Sequence, residues 1–442
     1  MAVHIMTLTD GIGIGWLSPT LTLLTSENNP FGDPLTVVQS SWVGSVIGLG
    51  SLMGDLIFGF LIDRLGRKVC LFIIAIPNMI FWILTYAAKD VTYLYIGRFL
   101  AGISSGGCYV VLPIFVAEIA DSSVRGALSS LTMVYISIGT MIGFACASYL
   151  SYYLMPCIII CLPVIYILAI IGLSETPQYL LRHGRDEQAK KSYYFYKNLS
   201  SSNTTSESNE NDAAKIEFET FRLQVFGGGI TQKITLRDFF NLPTMKIFGL
   251  IFVLIICNQL SGSFAIFSYT SHIFNELETQ LNPNNCSIIV GAAQVLGVLC
   301  AVGLVDRLGR RILLLTSMLG MGLGELGIAM LKDFASSEFL AQNEWLSLLL
   351  MCFVAIIASL GVVALLFVII IELLPAKIRS IGTSLSMATF SSFIFVSLKI
   401  YPIMIYDYGL NVTMYMSAGV CFFCFIVLGL FLPETKGKLM TH

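Results

Sequence analysis

The chain has 442 residues, of which 56% are hydrophobic and only 12% are charged. Its mean hydropathy of +0.82 leaves too few polar residues to coat a globule in water, so the composition excludes an ordinary soluble protein and predicts a membrane protein. The net charge is only -2, and no basic stripe with interleaved aromatics predicts contact with nucleic acid.

Twelve apolar stretches are long enough to cross a bilayer as helices, which takes roughly 20 residues each. Six of them, spans 1 to 6, are predicted near residues 3–24, 41–62, 69–88, 92–117, 127–150 and 154–173. Six more, spans 7 to 12, follow near residues 246–270, 287–305, 312–331, 346–371, 381–404 and 412–432. The length and continuity of these stretches exclude alternating barrel strands. The predicted fold class is an all-α membrane protein with twelve transmembrane helices.

The first stretch is predicted to be a span and not a cleaved signal peptide. It lacks a basic n-region and carries Asp10 and Trp16 in its middle. Between spans 6 and 7, the stretch "LSSSNTTSESNENDAA" has too few apolar residues to favour ordering, so we expect a flexible linker. The predicted domains are an N-terminal six-helix bundle over 1–173, a cytosolic linker with short helices over 174–243, and a C-terminal six-helix bundle over 244–442.

The distribution of lysine and arginine predicts the orientation, because these residues are retained on the cytosolic side of a membrane. With the N-terminus inside, the outer loops contain only Lys89 and Lys332, and the other basic loop residues lie on the cytosolic side. Both termini are therefore predicted to be cytosolic.

Three short motifs occur twice and in the same order. They are DRLGR at 63–67 and 306–310, a glutamate and an arginine seven residues apart at Glu118 with Arg125 and at Glu372 with Arg379, and SETPQ at 174–178 with PETKG at 433–437. The copies follow spans 2, 4 and 6 and spans 8, 10 and 12. The halves are therefore predicted to be parallel repeats, related by an axis along the membrane normal.

The repeated DRLGR motif combines close backbone approach with charge. Gly59 and Gly66 allow a neighbouring backbone to come near. Asp63 is predicted at the start of the next helix, where the positive end of the helix dipole favours a carboxylate.

These motifs resemble the sugar porter branch of the major facilitator superfamily. The resemblance covers nearly the whole chain and rests on GFLIDRLGRK at 59–68, GRFLAGISSGG at 97–107, SETPQYL at 174–180, NQLSG at 258–262, VDRLGRR at 305–311 and PETKGK at 433–438. Within the branch, GWLSP at 15–19, ELLPAKIRS at 372–380 and Lys399 are similar to insect-type facilitated trehalose transporters. The resemblance implies two pseudo-symmetric six-helix bundles around a central site that opens to one side of the membrane at a time.

The resemblance also implies ion pairs between the halves that hold the cytosolic side shut. The residues implied are Asp63, Arg64, Glu118, Arg125, Asp306, Arg307, Glu372 and Arg379. Exposed pairs contribute about 0 to 1 kcal/mol each, so several are needed to bias the balance between conformations. The alternative is that the basic residues only fix the topology, although this leaves the repeated Glu118 and Glu372 unexplained.

Polar side chains inside the predicted spans indicate the substrate site, because a sugar must exchange water for fixed donors and acceptors. Span 7 offers Asn258, Gln259, Ser263 and Tyr269, and span 8 offers Gln294. The resemblance implies that Gln259 and Gln294 are the amides that bind the sugar. The alternative is that each amide is only a hydrogen-bonding link between helices.

Several groups that the resemblance implies are missing. Span 5 has Met133 where glucose transporters carry a glutamine, span 7 has Phe264 in place of an asparagine, and span 11 has Phe390 near another asparagine position. Span 10 reads VALLF at 363–367, so Phe367 replaces a tryptophan that packs against sugar, and two helix-loosening prolines are absent. These changes predict a more apolar pocket, which leaves a less hydroxylated substrate or a non-transporting sugar sensor open.

Three charged residues are predicted inside the membrane, where an ionisable group is a functional hypothesis by default. Asp10 in span 1 is a candidate for proton coupling, or else lies at the wet mouth of a helix loosened by nearby glycines. Asp55 and Arg98 are also buried charges, and Arg98 is a candidate partner for either acid. Lys399 is predicted to extend toward the outer interface.

No motif indicates an enzyme. The histidines are scattered, and neither metal-ligand spacing nor a phosphate-binding glycine loop is present, so no cofactor or metal is expected. Glycosylation sequons occur at Asn285 and Asn411, on the predicted outer face. No obligate protein partner is predicted.

We therefore predict a multi-pass carrier of the cell membrane whose partners are a small-molecule sugar and the lipid bilayer. Facilitated diffusion of trehalose or a hexose is the simplest mechanism, because no nucleotide site is present to supply energy. A proton-coupled symporter and a non-transporting sensor are the alternatives.

Overall fold

The computed structural model describes residues 2–120, 125–197, 208–227, 236–277, 279–375 and 378–434. Within these residues the secondary structure is helical and contains no strand, as predicted. Eleven helical stretches in this described part are long and apolar enough to cross a membrane. Span 1 is not one of the eleven, but it is also a helix, His4–Leu24, and contains a histidine, an aspartate and four threonines. The all-α fold with twelve long helices is confirmed.

Spans 1 to 6 form the N-terminal half. Their bounds are His4–Leu24, Val37–Leu65, Arg67–Ala87, Val91–Ile119, Arg125–Tyr149 and, for the interrupted span 6, Leu154–Ile159 with Cys161–Ile171. Asp63 lies at the end of span 2, and its counterpart Asp306 lies at the end of span 8 on the same side of the molecule. We call this side the motif face and the other side the opposite face.

Short helices connect the two halves. They are Pro177–Arg182, Asp186–Lys197, Ser208–Gly227 and Leu236–Phe239. The ring of Tyr193 packs against those of Phe218 and Phe221, with centroid distances of 5.6 and 4.9 Å. The stretch predicted to be a flexible linker, residues 199–214, is in part helical: its residues from Ser208 onward belong to the third of these helices. Residues 198–207 lie outside the described residues.

Spans 7 to 12 form the C-terminal half. Span 7 consists of three helices, Leu242–Leu260, Ser263–Ser268 and Thr270–Glu276. Span 10 consists of Glu344–Ala358, a π-helical turn at Ser359–Val363 and Ala364–Leu373. Spans 8, 9, 11 and 12 are the single helices Pro283–Leu308, Arg310–Phe334, Arg379–Tyr408 and Leu410–Phe431. A short helix, Ser337–Gln342, precedes span 10. Span 7 is interrupted at Gly262, whose φ of +76° is a left-handed conformation that favours glycine.

Small residues let helices of the N-terminal half touch backbone to backbone. A methyl group added at Gly11 or Gly15 of span 1 would lie 2.1 Å from a carbonyl oxygen of span 5. At Gly50 of span 2 it would lie 2.0 Å from a carbonyl oxygen of span 4. Such close contacts drive helix association in lipid, which supplies little hydrophobic force between helices.

The contacts between the two halves include three pairs of spans. Spans 2 and 11 run together over most of their length, with Gly48 against Phe395 and with the Ser391 hydroxyl donating to Asp55 at 2.6 Å. Spans 5 and 8 meet where Gly291 packs against Met141. Spans 1 and 7 are joined by the backbone N–H of Ser271, which donates to Ser18 Oγ at 2.7 Å. These pairs enclose the space between the halves.

Candidate functional site

A cavity of about 50 Å³ lies between the two halves. Six of the eight predicted substrate-binding residues line it: Met133, Asn258, Ser263, Phe264, Gln294 and Phe367. Its remaining lining residues are Ile14, Tyr109, Ile136, Thr140, Phe267, Val363, Leu366 and Phe390. The fold thus gathers side chains from spans 1, 4, 5, 7, 8, 10 and 11, and substrate binding by these residues stays a prediction.

The other two predicted binding residues lie beside the cavity. Gln259 is fully buried, and its side-chain amide donates to Asn258 Oδ1 at 3.1 Å. Tyr269 is buried where span 7 meets span 2, and its hydroxyl donates to the carbonyl oxygen of Leu398 in span 11 at 2.8 Å. Tyr269 therefore lies in the contact between the halves and does not border the cavity.

The polar wall of the cavity comes from spans 7 and 8. Asn258 Nδ2 donates to the carbonyl oxygen of Val362 at 2.6 Å, and the Ser263 hydroxyl donates to the carbonyl oxygen of Asn258 at 3.2 Å. Gln294 Oε1 and Gln259 Oε1 are buried and accept no hydrogen bond from the described residues. A buried acceptor without a partner favours a bound ligand or water, and of these two amides only Gln294 borders the cavity.

Three aromatic rings form the floor of the cavity. Tyr109 stacks on Phe367 with centroids 5.1 Å apart, and Phe390 meets Phe367 edge-on at 5.4 Å. At 1.5 Å per residue, Tyr109 and Phe367 lie about 15 and about 9 Å from the motif-face ends of spans 4 and 10, whereas Gln294 lies about 21 Å from that end of span 8. The rings therefore separate the polar wall from the motif face, and Tyr109 joins the two halves there.

Span 10 is irregular even though it lacks the two prolines of similar proteins. Its turn at Ser359–Val363 is π-helical, which leaves backbone groups that need other partners. Ser317 of span 9 supplies two of them, because its Oγ accepts from the Val362 N–H at 3.1 Å and donates to the carbonyl oxygen of Ile357 at 2.6 Å. Asn258 binds the carbonyl oxygen of Val362. Span 10 is therefore irregular without proline.

Asp10 is buried inside span 1, so the predicted wet mouth of a loosened helix is wrong. It accepts a hydrogen bond from Asn78 at 3.2 Å and borders a second cavity of about 10 Å³ that also touches Arg98. Ile14 lines both cavities and separates them.

The other two buried charges, Arg98 and Asp55, have their own partners. The guanidinium of Arg98 donates to the carbonyl oxygens of Gly13 and Val43 at 2.9 and 3.2 Å, and Asp55 accepts a hydrogen bond from Ser391 of span 11. Neither acid is therefore joined to Arg98 by a described ion pair.

The three repeated motifs of the N-terminal half meet at the motif face. Arg67, the second arginine of DRLGR, begins span 3 and pairs with Glu118 at 2.8 Å and with Asp63 at 3.3 Å. Glu175 of SETPQ accepts hydrogen bonds from the backbone N–H groups of Arg67 and Lys68 at 3.1 and 3.0 Å. Glu175, and not Asp63, therefore occupies the positive end of the next helix, so that prediction for Asp63 is wrong.

The C-terminal half repeats this cluster. Arg310 begins span 9 and pairs with Glu372 at 3.1 Å and with Asp306 at 3.2 Å. Glu434 accepts hydrogen bonds from the backbone N–H groups of Arg310 and Arg311 at 3.0 and 3.2 Å. Motifs that are up to 124 residues apart in the chain thus form one cluster in each half.

These ion pairs join spans of one half and do not cross between the halves. Arg64, exposed at the end of span 2, lies over the ring of Phe60 at 3.9 Å, and Arg307 ends span 8 beside the second cluster. Arg125 and Arg379 begin spans 5 and 11, and their side chains lie outside the described part of the chain. A latch between the halves stays a prediction.

Several residues of these sites were not predicted from the sequence. Arg67, Arg310, Glu175 and Glu434 all belong to the repeated motifs, so the repeat itself was their signal. Nothing in the sequence indicates that Tyr109 lines the cavity, because a single tyrosine among apolar residues does not reveal which way its side chain points. Glu325 was not predicted either, and Lys399, which was predicted, makes contacts other than those expected.

Lys399 and Glu325 are charged side chains inside spans 11 and 9. Lys399 Nζ donates to Ser41 Oγ at 2.9 Å and lies 4.0 Å above the ring of Trp42, so it binds the other half and does not extend freely to the interface. Glu325 is fully buried and accepts a hydrogen bond from the Cys421 thiol at 3.5 Å. An acid within an apolar run was the available signal for Glu325.

The two sequons lie in helices near the opposite face. Asn285 is exposed in the first turn of span 8 and accepts from the Tyr149 hydroxyl at 2.8 Å, while the hydroxyl residue of its sequon, Ser287, is buried. Asn411 is half-buried in the first turn of span 12 and donates to Asp333. Glycosylation at either site stays a prediction.

Comparisons with known proteins agree with this architecture. A family model described as "Sugar (and other) transporter" matches residues 22–442. The facilitated trehalose transporter Tret1 of Drosophila mojavensis is 29% identical over 443 residues, which are 100% of this chain and 50% of that protein. The protein of the same name from Aedes aegypti is 27% identical over 99% of this chain and 53% of its own length. The chain thus spans about half the length of these curated relatives.

Solved structures share the fold. The xylose transporter XylE from E. coli in a partially occluded inward-open conformation has a TM-score of 0.77 at 18% identity, over 99% of this chain and 98% of that chain. The proton:xylose symporter XylE bound to 6-bromo-6-deoxy-D-glucose has a TM-score of 0.76 at 18% identity, over 99% and 96%. These likenesses establish the arrangement of the helices and leave the chemistry to the site residues.

Proposed function

Because this chain belongs to the sugar (and other) transporter family, we propose that it is a membrane carrier that moves a sugar by alternating access and facilitated diffusion. The proposed substrate is trehalose or a hexose, and the proposed location is the cell membrane. The observation that carries the proposal is the cavity between the halves, where Gln294 presents a buried amide oxygen with no partner among the described residues. Such an acceptor is suited to a sugar hydroxyl.

The proposed orientation places the motif face and both termini in the cytosol. The arginines of both DRLGR motifs gather on this face, which supports the assignment because basic residues are retained inside. The proposed binding residues are those of the polar wall with Gln259 and the aromatic floor. We also retain the latch between the halves, formed by Arg125 and Arg379 with the acids of the motif clusters, as a proposal.

Proton-coupled symport is the second candidate, and the position of Asp10 favours it. Asp10 is buried one residue layer behind the central cavity, since Ile14 borders both cavities. An acid at this place is suited to carry a proton whose binding is linked to that of the sugar. A sensor on the same scaffold would bind sugar without moving it.

Uptake by the purified full chain in proteoliposomes separates these candidates. Facilitated diffusion predicts counterflow of radiolabelled trehalose or glucose that does not depend on a proton gradient. Symport predicts uptake that an inward proton gradient accelerates and that Asp10→Asn uncouples from the gradient. Saturable binding without counterflow would contradict both carrier mechanisms and favour a sensor. Gln294→Leu should reduce sugar flux under either carrier mechanism, and Tyr135→Leu, outside the cavity, is its control.

A further inference from the structure

Three of the five polar side chains that line the central cavity, Asn258, Ser263 and Thr140, already donate hydrogen bonds within the protein. The Asn258 amide already binds Val362 and Gln259, and the Ser263 hydroxyl donates within span 7. The Thr140 hydroxyl donates to the carbonyl oxygen of Ile136 at 3.0 Å. Gln294 is the lining amide whose side-chain oxygen has no partner in the described part of the chain. On the polar wall, Gln294 is therefore the side chain best placed to bind a hydroxyl of the ligand.

The opposite end of the cavity offers an extended aromatic surface. Tyr109 and Phe367 stack with an interplanar angle of 15°, and the ring of Phe390 stands at 75° to that of Phe367. Flat rings in this arrangement receive another ring or an alkyl group well, because offset and edge-on contacts are the favoured geometries. A hydroxyl placed against the faces of these rings, away from the Tyr109 hydroxyl, would lose its hydrogen bonds to water without replacement.

This division into one polar point and one aromatic floor constrains the shape of the ligand. A free sugar carries hydroxyls around its whole ring. If the hydroxyls of one edge bind Gln294, the hydroxyls of the opposite edge lie against the rings of Tyr109 and Phe367. A glycoside with an apolar substituent presents hydroxyls at one end only. Burial of that substituent on the rings is favourable, because apolar area leaves water.

We infer, on the basis of the proposed carrier function, that the site prefers sugars bearing an apolar alkyl or aryl substituent over free sugars. In this assignment Gln294 binds the hydroxylated edge, and Tyr109 with Phe367 and Phe390 selects the apolar substituent. Tyr109 is then a specificity residue contributed by the N-terminal half, whereas the polar anchor comes from the C-terminal half.

Competition binding to the full chain in lipid nanodiscs tests the inference, since nanodiscs avoid glycoside detergents that would compete. Phenyl β-D-glucoside, methyl β-D-glucoside, glucose and trehalose are compared as competitors of radiolabelled phenyl glucoside, and trehalose and glucose are also tested as radiolabelled ligands. The phenyl glucoside is expected to bind at least about tenfold more tightly than the methyl glucoside, which has the same hydroxyls. Equal affinities for the two glucosides would overturn the inference.

Variants assign the preference to the residues named. Tyr109→Leu is expected to reduce the phenyl-to-methyl preference by about tenfold, whereas Gln294→Leu should weaken both glucosides alike. Tyr135→Leu is the matched control, because Tyr135 stacks on His4 at 5.3 Å outside the cavity, and it should leave the preference unchanged. A preference that survives Tyr109→Leu would overturn the role of the floor, and thermal unfolding of each variant verifies that it is folded.

Failure of this inference is distinguishable from failure of the proposed function. If glucose or trehalose binds as tightly as the phenyl glucoside and undergoes counterflow, the carrier stands and the selectivity is wrong. If none of the four compounds binds, both the carrier and the selectivity are overturned.

Discussion

Gly11 and Gly15 are the residues at which span 1 allows no side chain. A methyl group at either position would lie 2.1 Å from a backbone oxygen of span 5, whereas at Gly13, on another side of the same helix, the nearest atom would be 3.7 Å away. Backbone cannot move aside as a flexible side chain can. We therefore expect Gly11→Ala and Gly15→Ala each to destabilise the fold by about 1 to 3 kcal/mol through overpacking.

Gly13→Ala is the matched control for these two substitutions. It should be neutral or slightly stabilising, because alanine favours helix over glycine by up to about 1 kcal/mol. The measurement is the midpoint of thermal unfolding in detergent for the three variants and the parent. Equal midpoints for Gly13→Ala and Gly15→Ala would contradict the close contact between spans 1 and 5.

The two arginines of the first DRLGR motif are expected to differ in their contribution to stability. Arg67 is buried and paired with the nearly buried Glu118, whereas Arg64 is exposed. Removing one partner of a buried pair leaves an uncompensated charge and costs roughly 3 kcal/mol or more. We expect Arg67→Ala to lower the unfolding midpoint substantially and Arg64→Ala to leave it nearly unchanged.

The C-terminal copy gives a graded comparison for this prediction. The side chains of Arg310 and Glu372 are 15% and 25% exposed, against 3% and 8% for Arg67 and Glu118. Solvent screens the more exposed pair, so Arg310→Ala should cost less than Arg67→Ala. The reverse order would show that the second cluster is the main stabilising one.

The sequence predicted that the motif residues are important but not which of them touch. DRLGR contains two arginines and an acid in each copy, and their spacing alone does not say which arginine turns inward. Gly66 and Gly309, with φ of +94° and +87°, end spans 2 and 8 and place the second arginine at the start of the following helix. That orientation follows from the turn and from the distant Glu175 and Glu434, which one sequence does not bring together.

At the scale of single elements, span 10 depends on a side chain of its neighbour. Ser317 of span 9 binds both the N–H of Val362 and the carbonyl oxygen of Ile357, on either side of the π-helical turn. Ser317→Ala leaves these buried groups without that partner, which costs about 1 to 3 kcal/mol. The expected result is a lower unfolding midpoint together with reduced sugar flux, because the turn forms the wall at Val363.

Thr316→Ala provides the control for Ser317→Ala. The exposed hydroxyl of Thr316 donates within its own helix to the carbonyl oxygens of Ile312 and Leu313. Its loss should change stability by only a few tenths of a kcal/mol, as for most surface substitutions. Equal effects of the two substitutions would mean that the turn in span 10 does not need Ser317.

The irregular elements are the part of the fold that the sequence could not predict. Long apolar stretches predicted the spans well, because lipid forces the backbone to satisfy itself in helices. Span 10 has no proline, yet its turn at Ser359–Val363 is π-helical and is held by hydrogen bonds from spans 7 and 9. Tertiary hydrogen bonds of this kind have no local signature in the chain.

At the scale of the whole molecule, Lys399 joins the two halves near the opposite face. Its ammonium group lies over Trp42 and donates to Ser41 across the contact between spans 11 and 2. Lys399→Ala removes a cation–π contact of about 1 kcal/mol, enough to shift a population roughly fivefold. We expect the opposite face to open more often.

Labelling of a cysteine in the cavity measures this opening. Phe267→Cys, with and without Lys399→Ala, is exposed to a membrane-impermeant thiol reagent from the opposite face, and the signal of the native cysteines is subtracted using the parent chain. Lys332→Ala is the control, because the Lys332 ammonium group donates to the backbone carbonyl oxygen of Glu276 within the C-terminal half. Similar labelling rates for the Lys399 and Lys332 variants would contradict the proposed closure.

The repeats predicted the two-bundle architecture, because three motifs in the same order indicate two units of the same polarity. The fold brings six of the eight predicted binding residues to one cavity. The sequence could not show that Tyr109 lines the floor of that cavity, or that Gln259 and Tyr269 lie beside the cavity and do not line it. Those placements depend on helix rotation, which a continuous apolar pattern does not define.

The acids that cap spans 3 and 9 have a mechanical consequence. Glu175 and Glu434 tie the last span of each half to its third, so the charged contacts described for each cluster travel with that half as it tilts. These contacts therefore need not break when the proposed carrier switches sides, and a response to added salt is expected only from Lys399 and from the proposed latch of Arg125 and Arg379. An unchanged balance between the two conformations at high salt would contradict that latch.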